Sequence, residues 1–459
     1  MITRLGVRGF KSWDRIDSMR LADITVLFGS NSSGKTSLLQ LLLMLKQTAE
    51  STDRKQVLNL GDDRSLVELG TYQDVVHGHD VAAPLEWTLE WSTGTPLKIE
   101  DPEHRPGILL QGSSFGLETQ IAWIGNGQPG RGQPSVRRME YWFGGSKFGM
   151  NAMGESSSEY DLFTEGTEFR FRRNPGRAWK LPPPTKCYGF PDQVRGYYAN
   201  AGFLSDLELQ FVQLMANTYY LGPLRDHPRR QYTWGGAQPA DMGRRGEKVI
   251  DAILASRESG AVIKRGRGHK RETLEQRVAA WLKELGLIHT FAVRPVTPEG
   301  KLFQVWVRRR PGSAEVLLTD VGFGVSQILP VIALCYYAPE GSTLLLEQPE
   351  IHLHPSVQAG LADVFVDAMK TRGVQIIVES HSEHLLRRLQ RRVAEEELNP
   401  EKAALYFCAT EGSTSVLNPL RLDLFGAIDN WPPDFFGDEF GEIAATAAAG
   451  LRRRGSVGS

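Results

Sequence analysis

The chain opens with Ile2-Thr3-Arg4-Leu5-Gly6-Val7-Arg8-Gly9-Phe10, in which apolar and other residues alternate as they do along a half-buried strand. A second apolar run, Asp23-Ile24-Thr25-Val26-Leu27-Phe28, leads straight into a Gly/Ser/Asn turn. Residues 37–46 follow, built from strong helix formers with no Gly or Pro. The pattern therefore predicts strand, glycine-bearing loop and helix in direct succession.

From about Pro84 to Phe190 the pattern changes, and Gly, Pro and Ser become frequent. Short apolar runs at 85–91, 121–124, 139–143 and 168–171 predict strands separated by turns, as in an antiparallel sheet or a β-rich insertion. Helical patterns cover 206–217, 246–256 and 271–285, and a strand at 218–221 ends at Gly222-Pro223. The last third regains α/β alternation. Strands are predicted at 302–307, 315–318, 342–346, 374–378 and 403–407, and helices at 325–337, 356–370 and 383–397. No internal repeat is present, and no heptad run is long enough for an extended coiled coil.

Composition narrows the class. A length of 459 residues suggests two or three domains, and 41% hydrophobic with 23% charged residues is ordinary for a globular protein. No apolar run approaches the roughly 20 residues that span a bilayer, and the N-terminus lacks a secretory pattern. Cys187, Cys335 and Cys408 lie far apart, without metal-ligand spacing or a disulfide framework. A cytoplasmic protein without membrane contact is expected. The net charge of −1 supplies no overall attraction for nucleic acid, so any such contact needs a local patch.

The turn after the second strand reads Gly29-Ser30-Asn31-Ser32-Ser33-Gly34-Lys35-Thr36, followed by Ser37, and fits G-x-x-x-x-G-K-[ST] at every position. Its glycines allow backbone amides to point inward at phosphate oxygens. The following helix presents its positive end to the same anion. Lys35 can reach the β/γ-phosphates of ATP, and the Thr36 hydroxyl can hold Mg²⁺.

Thr343-Leu344-Leu345-Leu346-Glu347-Gln348-Pro349-Glu350 is an apolar strand that ends in acids, the usual partner of a phosphate loop. Glu347 stands where a metal-supporting acid is expected. The next position normally carries a glutamate that activates water; Gln348 cannot accept a proton, which leaves Glu350 as the nearest carboxylate able to substitute. Two readings of the neighbouring histidines stay open. His352, His354, His381 and His384 could supply a zinc site, although no HExxH spacing is present. Alternatively His381, at the end of the 374–378 strand, contacts the γ-phosphate, and residues 352–355 form a turn at a subunit contact.

These segments together resemble ABC-type ATPase heads of the SMC and OLD (overcoming lysogenisation defect) group, and more closely bacterial AAA-labelled proteins with an uncharacterised C-terminal domain. The resemblance is carried by Leu5-Gly6-Val7-Arg8-Gly9-Phe10-Lys11-Ser12-Trp13 as first strand and by Gly29 to Thr36 as Walker A. Glu347 to Pro355 resembles Walker B with its D-loop, and Ser380-His381-Ser382 a switch-histidine segment. Ile428-Asp429-Asn430-Trp431-Pro432-Pro433-Asp434-Phe435-Phe436 also resembles the closer group, and Tyr220-Leu221-Gly222-Pro223-Leu224-Arg225 looks familiar from it.

The resemblance implies an α/β fold: an ABC-type head with a mixed central sheet flanked by helices and an antiparallel β lobe, carrying a β-rich and helical insertion. Its halves would be 1–80 and 301–422, with a β-rich lobe at 81–200, a helical arm at 201–300 and a small extension at 423–459. It further implies a head-to-head dimer, or a higher homo-oligomer, with ATP and Mg²⁺ sandwiched between subunits. A signature loop would close each site; the candidate is Asp320 to Gln327, with Gly322, Gly324 and Ser326 as its contacts. Gln73 is a Q-loop candidate coupling Mg²⁺ to the lobe.

Relatives of this shape occur in anti-phage defence, where the ATPase acts with a separate effector protein. Slow hydrolysis, a non-hydrolysing ATP-dependent scaffold and a DNA-repair-type head remain three rival expectations; a transporter suits the sequence least. The basic run at 264–271 reads as a solvated loop or as a contact for nucleic acid phosphates or an acidic partner. Arg452-Arg453-Arg454 reads as tail.

Overall fold

A computed structural model of the chain describes residues 1–100, 107–125, 132–154, 158–176, 179–264, 268, 270–298 and 300–432. The chain is α/β. Among the described residues its strands form three sheets.

The first sheet is antiparallel, in the order β2-β1-β4-β5-β6-β7-β8. It contains β1 (Ile2–Phe10), β2 (Trp13–Arg20), β4 (Leu85–Glu100), β5 (Ile108–Gly125), β6 (Gly132–Phe143), β7 (Ser146–Ala152) and β8 (Tyr160–Glu165). Strict alternation drives it: in β4, Leu85, Trp87, Leu89 and Trp91 turn inward while Glu86, Thr88 and Glu90 stay at the rim. Trp91, Phe115 and Phe143 stack in sequence across three strands, with ring centroids 5.6 and 4.8 Å apart. Because β1 pairs with β4, this sheet draws strands from both sides of residue 80.

The second sheet runs β17-β16-β3-β15-β14-β9. Its strands are β3 (Ile24–Gly29), β9 (Thr218–Leu221), β14 (Thr343–Glu347), β15 (Gln375–Glu379), β16 (Ala403–Glu411) and the antiparallel edge strand β17 (Thr414–Leu420). The other five are parallel. Parallel strands are covered on both faces, which is why β14 and β15 are apolar without alternation. On one face Leu27, Leu345 and Ile377 pack with helix α1 (Lys35–Glu50) and the antiparallel sheet. On the other, Val26, Phe28, Leu344, Leu346, Ile376 and Val378 pack under three further helices. These are α7 (Phe323–Tyr337), α8 (Pro355–Arg372) and α9 (Glu383–Ala394).

Between these halves lie two short helices, α2 (Tyr72–Val75) and α3 (Gln193–Tyr197), and the longer α4 (Leu204–Ala216), α5 (Val249–Glu258) and α6 (Leu274–Glu284). The third sheet is small and antiparallel: β10 (Tyr232–Thr233), β12 (Leu302–Arg308) and β11 (Thr290–Pro295), with β13 (Glu315–Leu317) added on β12. A fully buried Arg277 ties α6 to α8 through a 2.7 Å ion pair with Asp367, its guanidinium lying over Trp281 and Tyr336.

One expected strand is absent. Residues 168–171 do not join a ladder; instead the Asn200 side chain accepts from Arg172 N at 2.9 Å and donates to Arg170 O at 2.8 Å. A side-chain amide thus takes the place of a neighbouring strand, and Phe169 and Phe171 still turn inward, against Phe148 and Phe203. Half of the 264–271 run (265–267 and 269), residues 433–436 and the arginines at 452–454 lie outside the described residues. Among those described, no helix is long and apolar enough to cross a membrane.

Glu208 on α4 gives a test of this packing. Its carboxylate accepts from Phe190 N at 2.7 Å, and burial pushes its pKa up from 4.5 to about 7. A carboxyl whose folded value lies above its unfolded one contributes stability below the unfolded value and loses it as pH climbs through the folded value. Glu208→Gln, which keeps an acceptor for Phe190, is expected to stabilise the protein at pH 8 by on the order of 2 kcal/mol. At pH 5 it should give little. Thermal melts at the two pH values check this; an equal gain at both would rule out charge burial as the cause.

Candidate functional site

Strand β3 delivers the chain to Gly29, and α1 begins at Lys35, so the intervening turn sits at the carboxyl edge of the parallel sheet. The glycines are required by contact as well as conformation. Gly29 has φ 142° and Gly34 φ 86°. A Cβ at Gly29 would meet Cys408 O at 2.2 Å, and one at Gly34 would meet the Ser415 and Ser12 hydroxyls at 2.5 and 2.7 Å. Trp13 braces the turn from outside, its indole N–H donating to Gly34 O at 2.9 Å. Ser33 is buried and donates to Ser30 O at 2.8 Å, whereas Ser30, Asn31 and Ser32 are exposed. Ser37 N donates to Gly34 O.

The Lys35 side chain curls back into the turn, its ammonium donating to Gly29 O at 3.0 Å and Ser30 O at 2.6 Å. Burial pulls its pKa down, and the charges of Glu379 and Glu350 pull the other way. The ammonium is therefore buried against the loop's own carbonyls.

Those acids come from the last third of the chain. Glu347 ends β14 and Glu379 ends β15, directly paired in register, so both side chains lie on the α1 face. The Thr36 hydroxyl donates to Glu379 Oε2 at 2.8 Å. Thr36 thus meets Glu379 and not Glu347, because β15 lies between β3 and β14. Glu347 is held from the far side, where Tyr220 OH donates to its Oε1 at 3.0 Å. Arg225 Nη2 donates to the Glu347 carbonyl at 3.3 Å. Glu350 accepts from His381 N at 2.6 Å.

Burial raises the pKa of all three carboxyls, that of Glu347 to about 7 with the Glu379 charge adding to the effect. Gln348 stands at φ 42°, its N–H donating to Glu379 O at 2.9 Å, and its side chain opposes the rise in the Glu379 pKa. Arg225 is only 6% exposed, yet its Nε and Nη1 have no hydrogen-bond partner among the described residues.

The other expected site residues are distributed as follows. His381 lies two residues beyond the end of β15 and is exposed; partial burial and the nearby Lys35 charge hold its pKa below the usual value. His354 caps α8, accepting from Ser356 N at Nδ1, and His352 is exposed at φ 61°. Among the described residues no three His, Cys, Asp or Glu side chains gather as a metal site, so the histidines do not assemble the zinc centre left open by the sequence.

Gly322 is exposed at the N-cap of α7. Ser326 is buried and donates back to Phe323 O at 2.7 Å, so its hydroxyl is used within its own helix. Gly324 lies under Leu353 and His352. The exposed Phe323 ring rests between His227 and His352, centroids 5.6 and 5.3 Å away, which joins the α7 start to the turn after β14. Gln73 is exposed on α2; its carbonyl accepts from His79, and no hydrogen bond among the described residues joins its side chain to the loop.

Sequence reasoning missed the parts played by Glu379, Tyr220 and Trp13. For Glu379 a signal existed, since it ends an apolar strand as Glu347 does. The Thr36 hydroxyl and the Glu379 carboxylate beside a lysine, with Glu347 on the next strand, are oxygen donors of the kind that suits Mg²⁺ carrying phosphate oxygens, so the residues fit that ion.

Residues 222–387 match the family described as "AAA domain, putative AbiEii toxin, Type IV TA system". That segment holds the acidic strands and the Gly322 turn but not the 29–36 loop. Residues 398–445 match a family described as a protein of unknown function (DUF3696). No curated protein matches the chain. Among solved structures, the SMC head domain from Thermotoga maritima is similar at 12% identity and TM-score 0.42, over 92% of this chain and 99% of that one. An SmcHead bound to the C-winged helix domain of ScpA gives 11%, 0.44, 92% and 98%. An Smc head domain bound to the C-terminal domain of ScpA derived from Pyrococcus furiosus gives 11%, 0.41, 92% and 96%. Likenesses at this level leave the chemistry of the chain to its own residues.

Proposed function

We propose that this chain binds ATP with Mg²⁺ in the 29–36 cradle and that two copies engage head to head around the nucleotide to control a separate effector protein. The observation that carries the nucleotide reading is the junction of Lys35, Thr36 and Glu379, which joins the glycine loop to the acidic strand ends in one buried cluster. A loop of inward amides with a lysine takes a triphosphate, and the hydroxyl with the carboxylates takes its metal.

Engagement between copies is supported by the exposed face made by Gly322, Phe323 and His352, which offers a glycine-flanked helix start beside an aromatic ring. Its composition suits closing over a neighbour's bound phosphate. The effector role and its place in anti-phage defence follow the resemblance in the sequence. Contact with nucleic acid has no support from the net charge of −1.

Gln348 favours slow turnover, or a second reading in which binding alone drives assembly. An amide takes no proton from water, and Glu350, the nearest substitute, is buried with one oxygen accepting from His381 N.

Lys35→Ala removes the charged contact to the phosphates and is expected to weaken ATP binding by roughly 10- to 100-fold. It should also abolish any ATP-dependent mass increase in light scattering. Unchanged assembly in that variant would defeat the head-to-head proposal. Gln348→Glu supplies a proton acceptor and is expected to raise steady-state phosphate release by about 10²-fold. If release stays flat while ATP still binds, the scaffold reading stands instead.

A further inference from the structure

We propose that Glu379, at the end of β15, is the carboxylate that anchors the nucleotide's magnesium, and that Glu347 acts behind it as a positioning residue. This rests on the MgATP reading above and deepens it. In the sequence the assignment falls to Glu347, because it ends the strand that precedes the Gln348-Pro349 turn. The fold reverses the order of the two acids relative to the loop.

Three observations converge. The first is strand order. β15 is hydrogen-bonded to β3, with Glu379 in register with Leu27, while β14 is one strand further away. With neighbouring strands about 4.8 Å apart, Glu347 starts roughly twice as far from β3 as Glu379 does. The second is occupancy of the loop threonine. Thr36 is the hydroxyl that a phosphate loop offers to its metal, and it donates to Glu379 Oε2 at 2.8 Å. A carboxylate already within one hydrogen bond of that hydroxyl can share a cation with it with little movement of either side chain.

The third is the commitment of Glu347. Tyr220, on the opposite neighbour strand β9, donates to its Oε1, and the buried Arg225 donates to its backbone carbonyl, so its partners draw it away from the loop. Gln348 N donates to Glu379 O at 2.9 Å, which ties the turn after β14 to the end of β15. Glu379 is 3% exposed and is kept at the sheet edge by Ser380 N donating to Leu27 O at 3.0 Å. The resulting order across three parallel strands is Glu379 on β15, Glu347 on β14 and Tyr220 on β9, with the Thr36 hydroxyl on the β15 side.

The test is a Mg²⁺ titration of ATP binding by calorimetry on the full chain, with Mn²⁺ resonance spectra as a second readout. Glu379→Gln preserves shape and the acceptor for Thr36. It is expected to raise the Mg²⁺ concentration for half-maximal effect by about 10-fold or more, as losses of metal-supporting groups do. ATP binding in EDTA should be retained, and the Mn²⁺·ATP signal of the bound complex should be altered. Glu379→Asp, which keeps the charge, should recover part of the shift, and Glu347→Gln should move the titration by less than Glu379→Gln does. Thermal melts confirm folding in each case. A Glu379→Gln titration that overlays the wild type, or an equal or larger shift in Glu347→Gln, overturns the assignment. Failure of the wild type to bind ATP with or without Mg²⁺ defeats the nucleotide reading itself, a result separate from either.

Discussion

Burying carboxylates is the constraint around which this structure is arranged. Glu347, Glu350 and Glu379 are each at most 6% exposed, at the end of a sheet that gives them an apolar floor. Removing an ionised carboxylate from water costs several kcal/mol unless partners replace the lost hydration. Each acid has acquired such partners from a different part of the chain: Glu379 from Thr36, Glu347 from Tyr220, Glu350 from the backbone of His381. Lys35 and Arg225 supply the positive charges, one from the first thirty-odd residues and one from the middle. The cluster therefore exists only when the two ends of the sequence have folded against one another, and a misplaced strand would leave a charge without compensation.

That dependence explains what could and could not be read from the sequence. The 29–36 loop was legible because its requirements are local: two glycines at positive φ, then lysine, then a helix. The acidic strand was legible for the same reason, an unbroken apolar run closing in Glu347. The pairing of Thr36 with Glu379 was not, because it depends on which strand sits between β3 and β14, and strand order leaves no mark on the sequence of any single strand. Trp13 and Ser415, which press on Gly34 from opposite ends of the chain, were hidden for the same reason. At 168–171 the alternation of aromatic residues read as a strand, and Asn200 replaced the ladder that alternation alone cannot supply.

The signature region shows a different kind of limit. Gly322, Gly324 and Ser326 have the residue types of a phosphate-contacting turn, yet the Ser326 hydroxyl is spent on Phe323 O inside α7. A buried serine that bonds back into its own helix satisfies itself and offers little outward. What the turn does present is Gly322 at a bare helix start and the Phe323 ring against His352. Any contact with a second copy would accordingly be made through backbone N–H groups and an aromatic face, with the serine in a supporting place.

Gln348 is best understood against the charge balance of its surroundings. A glutamate at this position would bring a fourth carboxylate against three buried ones, with Glu379 as its immediate neighbour. Like charges in a site shielded from water push one another toward the protonated form, so a base placed there would work against its own ionisation unless a cation screened the group. The amide avoids this conflict, and the backbone N–H of Gln348 donates to Glu379 O at 2.9 Å, which ties the turn to the end of β15. The positive φ of Gln348 is then the local strain of a turn that holds this donor in place. On this argument the departure at Gln348 gives up a proton acceptor and spares Glu379 a like-charged neighbour, in keeping with the proposal that nucleotide is held more than it is consumed.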